Sequence, residues 1–247
     1  MTERTDEHDA VVTFFAEQVR SDQYRSLKAQ TDAFDRNAAE ILNREISGRV
    51  LAVGGLWDHF ERSSTVTELT VLDLTEEMLV TYTTADATAL HGDLFDIELE
   101  PDSFDTVVFP LMLHHVAQGS WGECERRVHE ALERVSAALG PGGRILIYEY
   151  CPAPWLRLAQ RLVLPFTRRL LAHNGQPLVV MHSLRFYEDA LTAVRGQANL
   201  LPITARPPRP WTWYPIFMSS RWLRIPIGLY PKPAILASYP SGPSARL

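Results

Sequence analysis

Apolar positions in the first fifth of the chain fall at helical intervals. From about Asp9 to Ile46 they include Val12, Phe15, Val19, Leu27, Phe34, Ala38, Ile41 and Leu42, mostly at steps of three, four and seven, which predict amphipathic helices. After Gly48 the pattern changes to short apolar runs separated by helical stretches. RVLAVG (49–54), LTVLDL (69–74), FDTVVFP (104–110) and RILIYEY (144–150) read as buried strands, and a third strand is expected to end at His91-Gly92-Asp93-Leu94. CERRVHEALERVSAAL (124–139) reads as a helix ended by GPGG. This alternation predicts a parallel sheet with crossover helices on both faces.

From Cys151 the texture changes. PAPWLRLAQRLVLPFTRRLLAH (152–173) is helical on both sides of Pro165, which lacks an amide hydrogen and should kink or divide the helix. LRFYEDALTAVRGQ (184–197) predicts another helix. A stretch rich in proline and tryptophan follows, then a last strand at PAILASYP (233–240). The 247 residues show no second independent core, so one elaborated α/β domain over residues 1–247 is expected.

Composition narrows the function classes. Apolar residues are 46% and charged residues 22%, ordinary for a folded domain, and the opening MTERTDEHDA lacks the basic start and apolar run of a secretory signal. A cytoplasmic location follows as the expectation. Cys124 and Cys151 are too few for a disulfide framework, and no His, Cys or carboxylate cluster has metal-ligand spacing. No metal is expected. The net charge of −6 hides a division: residues 1–150 carry 12 Lys or Arg against 28 Asp or Glu, whereas residues 151–247 carry 12 against two, Glu188 and Asp189. The basic half suits an acidic partner, but no RNA or DNA motif accompanies it and the whole chain is acidic, so nucleic acid is not an expected partner.

In an open α/β sheet, ligands bind beyond the carboxyl ends of the strands. Gly54-Gly55 follows the first strand, where missing side chains allow a tight turn and close approach to a ligand. Asp73 ends the second strand, placed to accept both hydroxyls of a ribose, and Asp93 stands where it can accept from a base amine. FDTVVFPLMLHHV brings Leu111 to His115 to the same edge.

The ordered strings VLAVGG, VLDLTEEML, HGDLFDIELEPDSFDTVV, LMLHHV and LGPGGRILIYEY resemble the class I S-adenosylmethionine methyltransferases, in particular the small-molecule group that includes the ubiquinone-type enzymes. The resemblance covers about residues 48–150. It implies a Rossmann-like, mostly parallel seven-stranded sheet of order 3-2-1-4-5-7-6, strand 7 antiparallel, with a helical and aromatic lid. Residues 1–47 would form the helical part of that lid, residues 48–150 the cofactor-binding core, and residues 151–247 the acceptor side. By the same resemblance, Gly54 and Gly55 would lie against the methionine part of S-adenosylmethionine, and Asp73, with Leu74 and Met78 nearby, would hold the ribose. Asp93 and Leu94 would frame the adenine, and Pro110 and Leu111 would pass beside the sulfonium; S-adenosylhomocysteine would be the product. The first motif departs from the family pattern, with Ala52 where an acidic residue is usual and Leu56 and Asp58 where glycines are usual. The short run from Gly54 to Asp73 implies a trimmed first helix.

Methyl transfer is an in-line displacement, so alignment supplies much of the catalysis and a base is needed only for a protonated nucleophile. His115 is the first candidate base, with a histidine that simply hydrogen-bonds its loop as the plainer alternative; His114 is the alternate base, since one residue of register decides which ring faces the pocket. Glu149 and Tyr150, at the end of the fifth strand, are placed to orient an acceptor. Tyr24, Phe34, Trp211 and Trp213 lie in the segments expected to roof the acceptor pocket. Large rings near arginines suit a flat apolar or anionic acceptor, a small molecule or one presented by a carrier protein. The basic segment would alternatively meet an acidic protein or an anionic membrane, and the aromatic run would allow a homodimer. Two other functions stay open: a cyclase on the same fold, and a pseudoenzyme or binding partner that transfers no methyl group.

Overall fold

Val50 to Val53, Val107 to Phe109 and Ile145 to Ile147 are all buried, the condition under which near-continuous apolar strands form in a sheet covered on both faces. The computed structural model describes residues 11–17, 22–174, 176–205, 213–215, 224–226 and 231–240. Helical residues 11–17 (α1) and helix α2 (Asp22–Glu45) precede the sheet. Strands β1 (Gly48–Val53) and β2 (Val66–Asp73), helix α3 (Glu76–Tyr82), strands β3 (Thr88–His91) and β4 (Phe104–Pro110), helix α4 (Trp121–Ala138) and strand β5 (Leu139–Cys151) follow. Helices α5 (Pro154–His173) and α6 (Leu184–Arg195), strand β6 (Gly196–Leu201), the short pair β7 (Trp213–Pro215) and β8 (Arg224–Pro226), and strand β9 (Lys232–Pro240) complete the description.

The main sheet has the order β3-β2-β1-β4-β5-β9-β6. Strands β3 to β5 pair in parallel, and β9 runs antiparallel to both β5 and β6. Counting β9 as the seventh strand, this is the expected 3-2-1-4-5-7-6 arrangement. One face is covered by α4 and α6, where Val128, Leu132, Tyr187 and Leu191 meet Leu51, Phe109 and Ile147. The other face is covered by the second half of α2, where Ala38, Leu42 and Ile46 meet Val50, Ala52 and Tyr148.

Four local expectations change. Helix α4 begins at Trp121, three residues earlier than the apolar pattern suggested, because Ser120 and Glu123 form a capping box. The Ser120 hydroxyl accepts from the Glu123 amide at 3.4 Å, and the Glu123 carboxylate accepts from the Ser120 amide at 2.5 Å. At its other end the helix stops before GPGG as expected, but β5 starts at Leu139 and includes GPGG, ahead of the apolar run at 144–150, with a register irregularity beside Phe104 and Gly142 at φ +83°. Pro165 stands inside one 20-residue helix instead of dividing it. Both Pro165 and Arg161 are exposed, so the carbonyl that loses its donor can be hydrated.

The connection from β1 to β2 carries no helix at all, only turns across residues 54–65. Its residues are held by α2 instead. Leu56 and Trp57 are buried in the core beneath α2, and the Trp57 indole donates to Asn43 Oδ1 at 3.0 Å. The Asn43 amide donates to the His59 carbonyl at 3.0 Å, and His59 Nε2 lies 2.8 Å from Asp32. The N-terminal helix thus covers the sheet face that a crossover helix would otherwise cover.

Candidate active site

The tips of the strands meet through their turns. Gly54 and Gly55 have φ of +90° and +88°, a region that side chains avoid. A Cβ built on Gly54 would lie 2.6 Å from Met112 Cγ and 2.8 Å from Met112 Cβ, so the turn after β1 touches the turn after β4. Gly54 also donates to the Leu72 carbonyl at 2.7 Å. Leu111 has φ +55°, rare for leucine, and donates to the Tyr148 carbonyl at 2.8 Å. The end of β4 therefore bends sharply between β1 and β5, with Pro110 buried and Leu111 half-buried behind it.

Asp73 closes β2 with only 8% of its surface exposed. Its Oδ1 accepts from the Thr75 amide at 2.7 Å. Burial raises its pKa from 3.8 to about 6, and the Thr75 hydrogen bonds only partly oppose that rise. His91 pairs with Asp73 across the sheet, the Gly92 amide donates to the Asp73 carbonyl at 3.0 Å, and His91 Nε2 lies 3.0 Å from the Leu74 carbonyl. Asp93 Oδ1 accepts from the Phe95 amide at 2.9 Å, fixing its own loop. The Leu94 side chain is buried with Leu51 and Phe109 in the core, and its carbonyl accepts from Arg134 Nε at 2.9 Å. Met78, on α3, is half-buried.

The two histidines differ sharply in environment. His114 Nδ1 lies 2.7 Å from Glu149 Oε2, and the His114 amide donates to Glu149 Oε1 at 3.3 Å. Glu149 is 1% exposed, so these contacts give its carboxylate the donors that burial demands. In the tautomer that donates from Nδ1 to this carboxylate, the lone pair of a neutral ring sits on Nε2. His115 instead packs edge-on against Phe15 of α1, with centroids 4.7 Å apart, and its Nδ1 is buried without a partner among the described residues. Burial, then the neighbouring His114, holds its pKa well below 6.5 and keeps the ring neutral. The two rings lie 4.0 Å apart.

A buried polar cluster behind these residues had no local signal in the sequence. The Tyr148 hydroxyl donates to Asp35 Oδ1 at 2.8 Å, and the Thr31 hydroxyl donates to Asp35 Oδ2 at 2.8 Å. Burial, the nearby Tyr150 and the Asp35 carboxylate push the Tyr148 phenol well above its usual value. Tyr150, half-buried, lies 6.3 Å from Tyr148 by ring centroids. This cluster fastens α2 to β5 at the carboxyl edge of the sheet. Phe34, expected to face an acceptor, is buried against Ile203 and Ala205 after β6. Trp211 and the side chains of Tyr24 and Trp213 lie outside the described residues.

The strand tips fit an adenosyl cofactor in two respects. The Gly54–Gly55 turn offers backbone without side chains, and Asp73 is a carboxylate short of water that ribose hydroxyls would satisfy. The altered first motif adds no obstruction from Leu56 and Trp57, whose side chains are committed to the core beneath α2.

Comparison with known proteins bears on the fold. Residues 49–147 match the family model described as "Methyltransferase domain". No curated protein matches the chain in sequence. Among solved structures, DhpI in complex with SAH is 17% identical with a TM-score of 0.58, the alignment covering 94% of this chain and 96% of that one. DhpI in complex with SAM and HEP is 18% identical with a TM-score of 0.58, covering 94% and 97%. A methyltransferase in complex with the Haloferax volcanii Trm112 methyltransferase activator is 18% identical with a TM-score of 0.53, covering 86% and 93%. At these identities the likeness establishes the shared fold. Residues 49–147 match a methyltransferase-domain model, and the chain has the fold of the solved DhpI structures.

Proposed function

We propose that this chain methylates a small-molecule acceptor, with His114, held by Glu149, as the base. The observation that carries the reading is the 2.7 Å contact between His114 Nδ1 and the buried Glu149 carboxylate, one turn beyond Leu111 and at the tip of β5. Gly54, Gly55, Asp73, Leu74 and Met78 would hold the methionine and ribose parts of the cofactor. Asp93 and the backbone of Leu94 would border the adenine, and Pro110 and Leu111 would flank the sulfonium. Bound S-adenosylmethionine supplies an electrophilic methyl group. The chain's part is to align the acceptor and accept its proton at His114 Nε2 as the nucleophile loses it. Glu149 fixes the tautomer and stabilises the imidazolium that forms. His115, neutral and packed on Phe15, shapes the wall of the site.

The motif strings support the small-molecule group that includes the ubiquinone-type enzymes, and an acceptor presented on a carrier protein uses the same residues. A second reading has its own support: Ala52 is buried where the family has an acidic residue, and the connection after Gly55 has no helix. Those departures favour a cyclase or a non-transferring partner on the same fold. Calorimetry with S-adenosylhomocysteine and transfer of labelled methyl into small-molecule extracts separate the readings. Methyl transfer is expected, and His114→Ala should lower it by about a hundredfold or more while product affinity stays within about twofold. Product binding without label transfer favours the second reading, and unchanged turnover in His114→Ala removes the histidine from the mechanism.

A further inference from the structure

Helix α5 turns a strongly apolar side outward. Trp155, Leu158, Leu162, Phe166 and Leu170 recur every three to four residues, and each is between 50 and 72% exposed. The opposite side holds Leu164 and Leu171, packed with Trp121, Leu178 and Val180. On that inner side Gln160 Nε2 also donates to the Val179 carbonyl at 3.0 Å. An ordinary surface helix is apolar only toward its core; this one is apolar toward both core and solvent. By helical geometry Arg161 and Arg168 lie along one flank, Arg157 turns toward the inner side, and Arg169 stands among the exposed apolar side chains. Arg157 is engaged by Glu125 at 2.9 Å, and Arg161, Arg168 and Arg169 continue along the helix. From Cys151 to Tyr187 the chain contains no aspartate or glutamate.

Charge decides among the surfaces that could cover such a face. A second copy of this chain would bring like face to like face, setting arginines against arginines with no carboxylate on the segment to offset them. An acidic protein would satisfy the arginines but leave an outermost row of apolar side chains against a polar surface. A bilayer with anionic headgroups satisfies both: the row sinks into the boundary of the acyl chains and the arginines reach the headgroups. Among the described residues no helix is long and apolar enough to cross a membrane, so α5, about 30 Å long, would lie along the surface.

We propose that the outward face of α5, from Trp155 to Leu170, docks this chain on an anionic phospholipid membrane. Because α5 starts three residues after β5, docking sets the edge of the sheet that carries Glu149 beside the bilayer. Docking does not depend on methyl transfer, and its test needs no activity. The full chain is sedimented with vesicles of phosphatidylglycerol and phosphatidylcholine in equal parts, and with phosphatidylcholine alone. Wild type should pellet with the anionic vesicles and far less with the neutral ones. The pair Leu162→Ser with Phe166→Ser, and separately Arg161→Gln with Arg169→Gln, should each lower partitioning by about tenfold. All four side chains are exposed, so thermal unfolding of both variants should match wild type. Wild type that stays in the supernatant, equal binding to neutral vesicles, or a double-serine variant that binds as wild type overturns the proposal. A dimer that the double-serine variant dissolves, without vesicle binding, overturns it too and assigns the face to a second copy.

Discussion

Replacing Asp73 with asparagine removes a buried carboxylate while keeping its shape and its acceptor for the Thr75 amide. In the folded chain burial pushes this carboxyl up to about 6 from its ordinary 3.8, a difference that corresponds to about 3 kcal/mol. The sign follows from proton occupancy. Between about pH 4 and pH 6 the folded chain holds a proton that the unfolded chain has released, so unfolding free energy declines across that window. Above the folded value the decline is complete, and the charged form is a standing cost of about 3 kcal/mol at pH 7. Asparagine has no such decline. Asp73→Asn should therefore be more stable than wild type at pH 7 by up to about 3 kcal/mol, or about 6–12 °C in Tm for a chain of this size. Near pH 3.5 the two should coincide. The same change should weaken S-adenosylhomocysteine about tenfold to a hundredfold, because ribose hydroxyls lose a charged acceptor. Thermal unfolding of both proteins from pH 3.5 to 8, with calorimetry at pH 7, measures both effects. A wild-type minus variant difference that is flat across pH, or a variant less stable at pH 7, would refute the burial argument.

Gly54→Ala should cost about 1–3 kcal/mol through its φ of +90°, with a further loss from contact with Met112. Adding Met112→Ala should recover only the contact part, a division that a double-mutant cycle in urea resolves. Tyr148→Phe removes a donor to buried Asp35 and should cost about 1–3 kcal/mol, seen as a lower urea midpoint at unchanged slope. If Tyr148 fastens α2 to β5, limited proteolysis should then release the N-terminal segment first.

The strands that build the core were legible because their apolar runs are local and long. The glycine turn, Asp73, Asp93 and the Leu111 turn were legible because a parallel sheet delivers every strand's carboxyl end to one edge. Strand β6, GQANLL, had no such signal, being mostly exposed and held by its pairing with β9. The capping box at Ser120 was readable as Ser-x-x-Glu, but the apolar periodicity starting at Cys124 drew the boundary inward.

What the sequence determined by itself was local: which segments bury both faces, where glycine must turn, and which carboxylates stand at strand ends. The tertiary structure alone decided whatever depends on partners distant in the chain. It joined Asp35 to Tyr148 across 113 residues and let α2 cover the face left bare by the missing crossover helix. It also turned His114 toward Glu149 and His115 toward Phe15, a choice made by the pitch of a single 3-10 turn. Neighbouring residues on such a turn point about 120° apart, so two histidines alike in sequence come to face different surroundings.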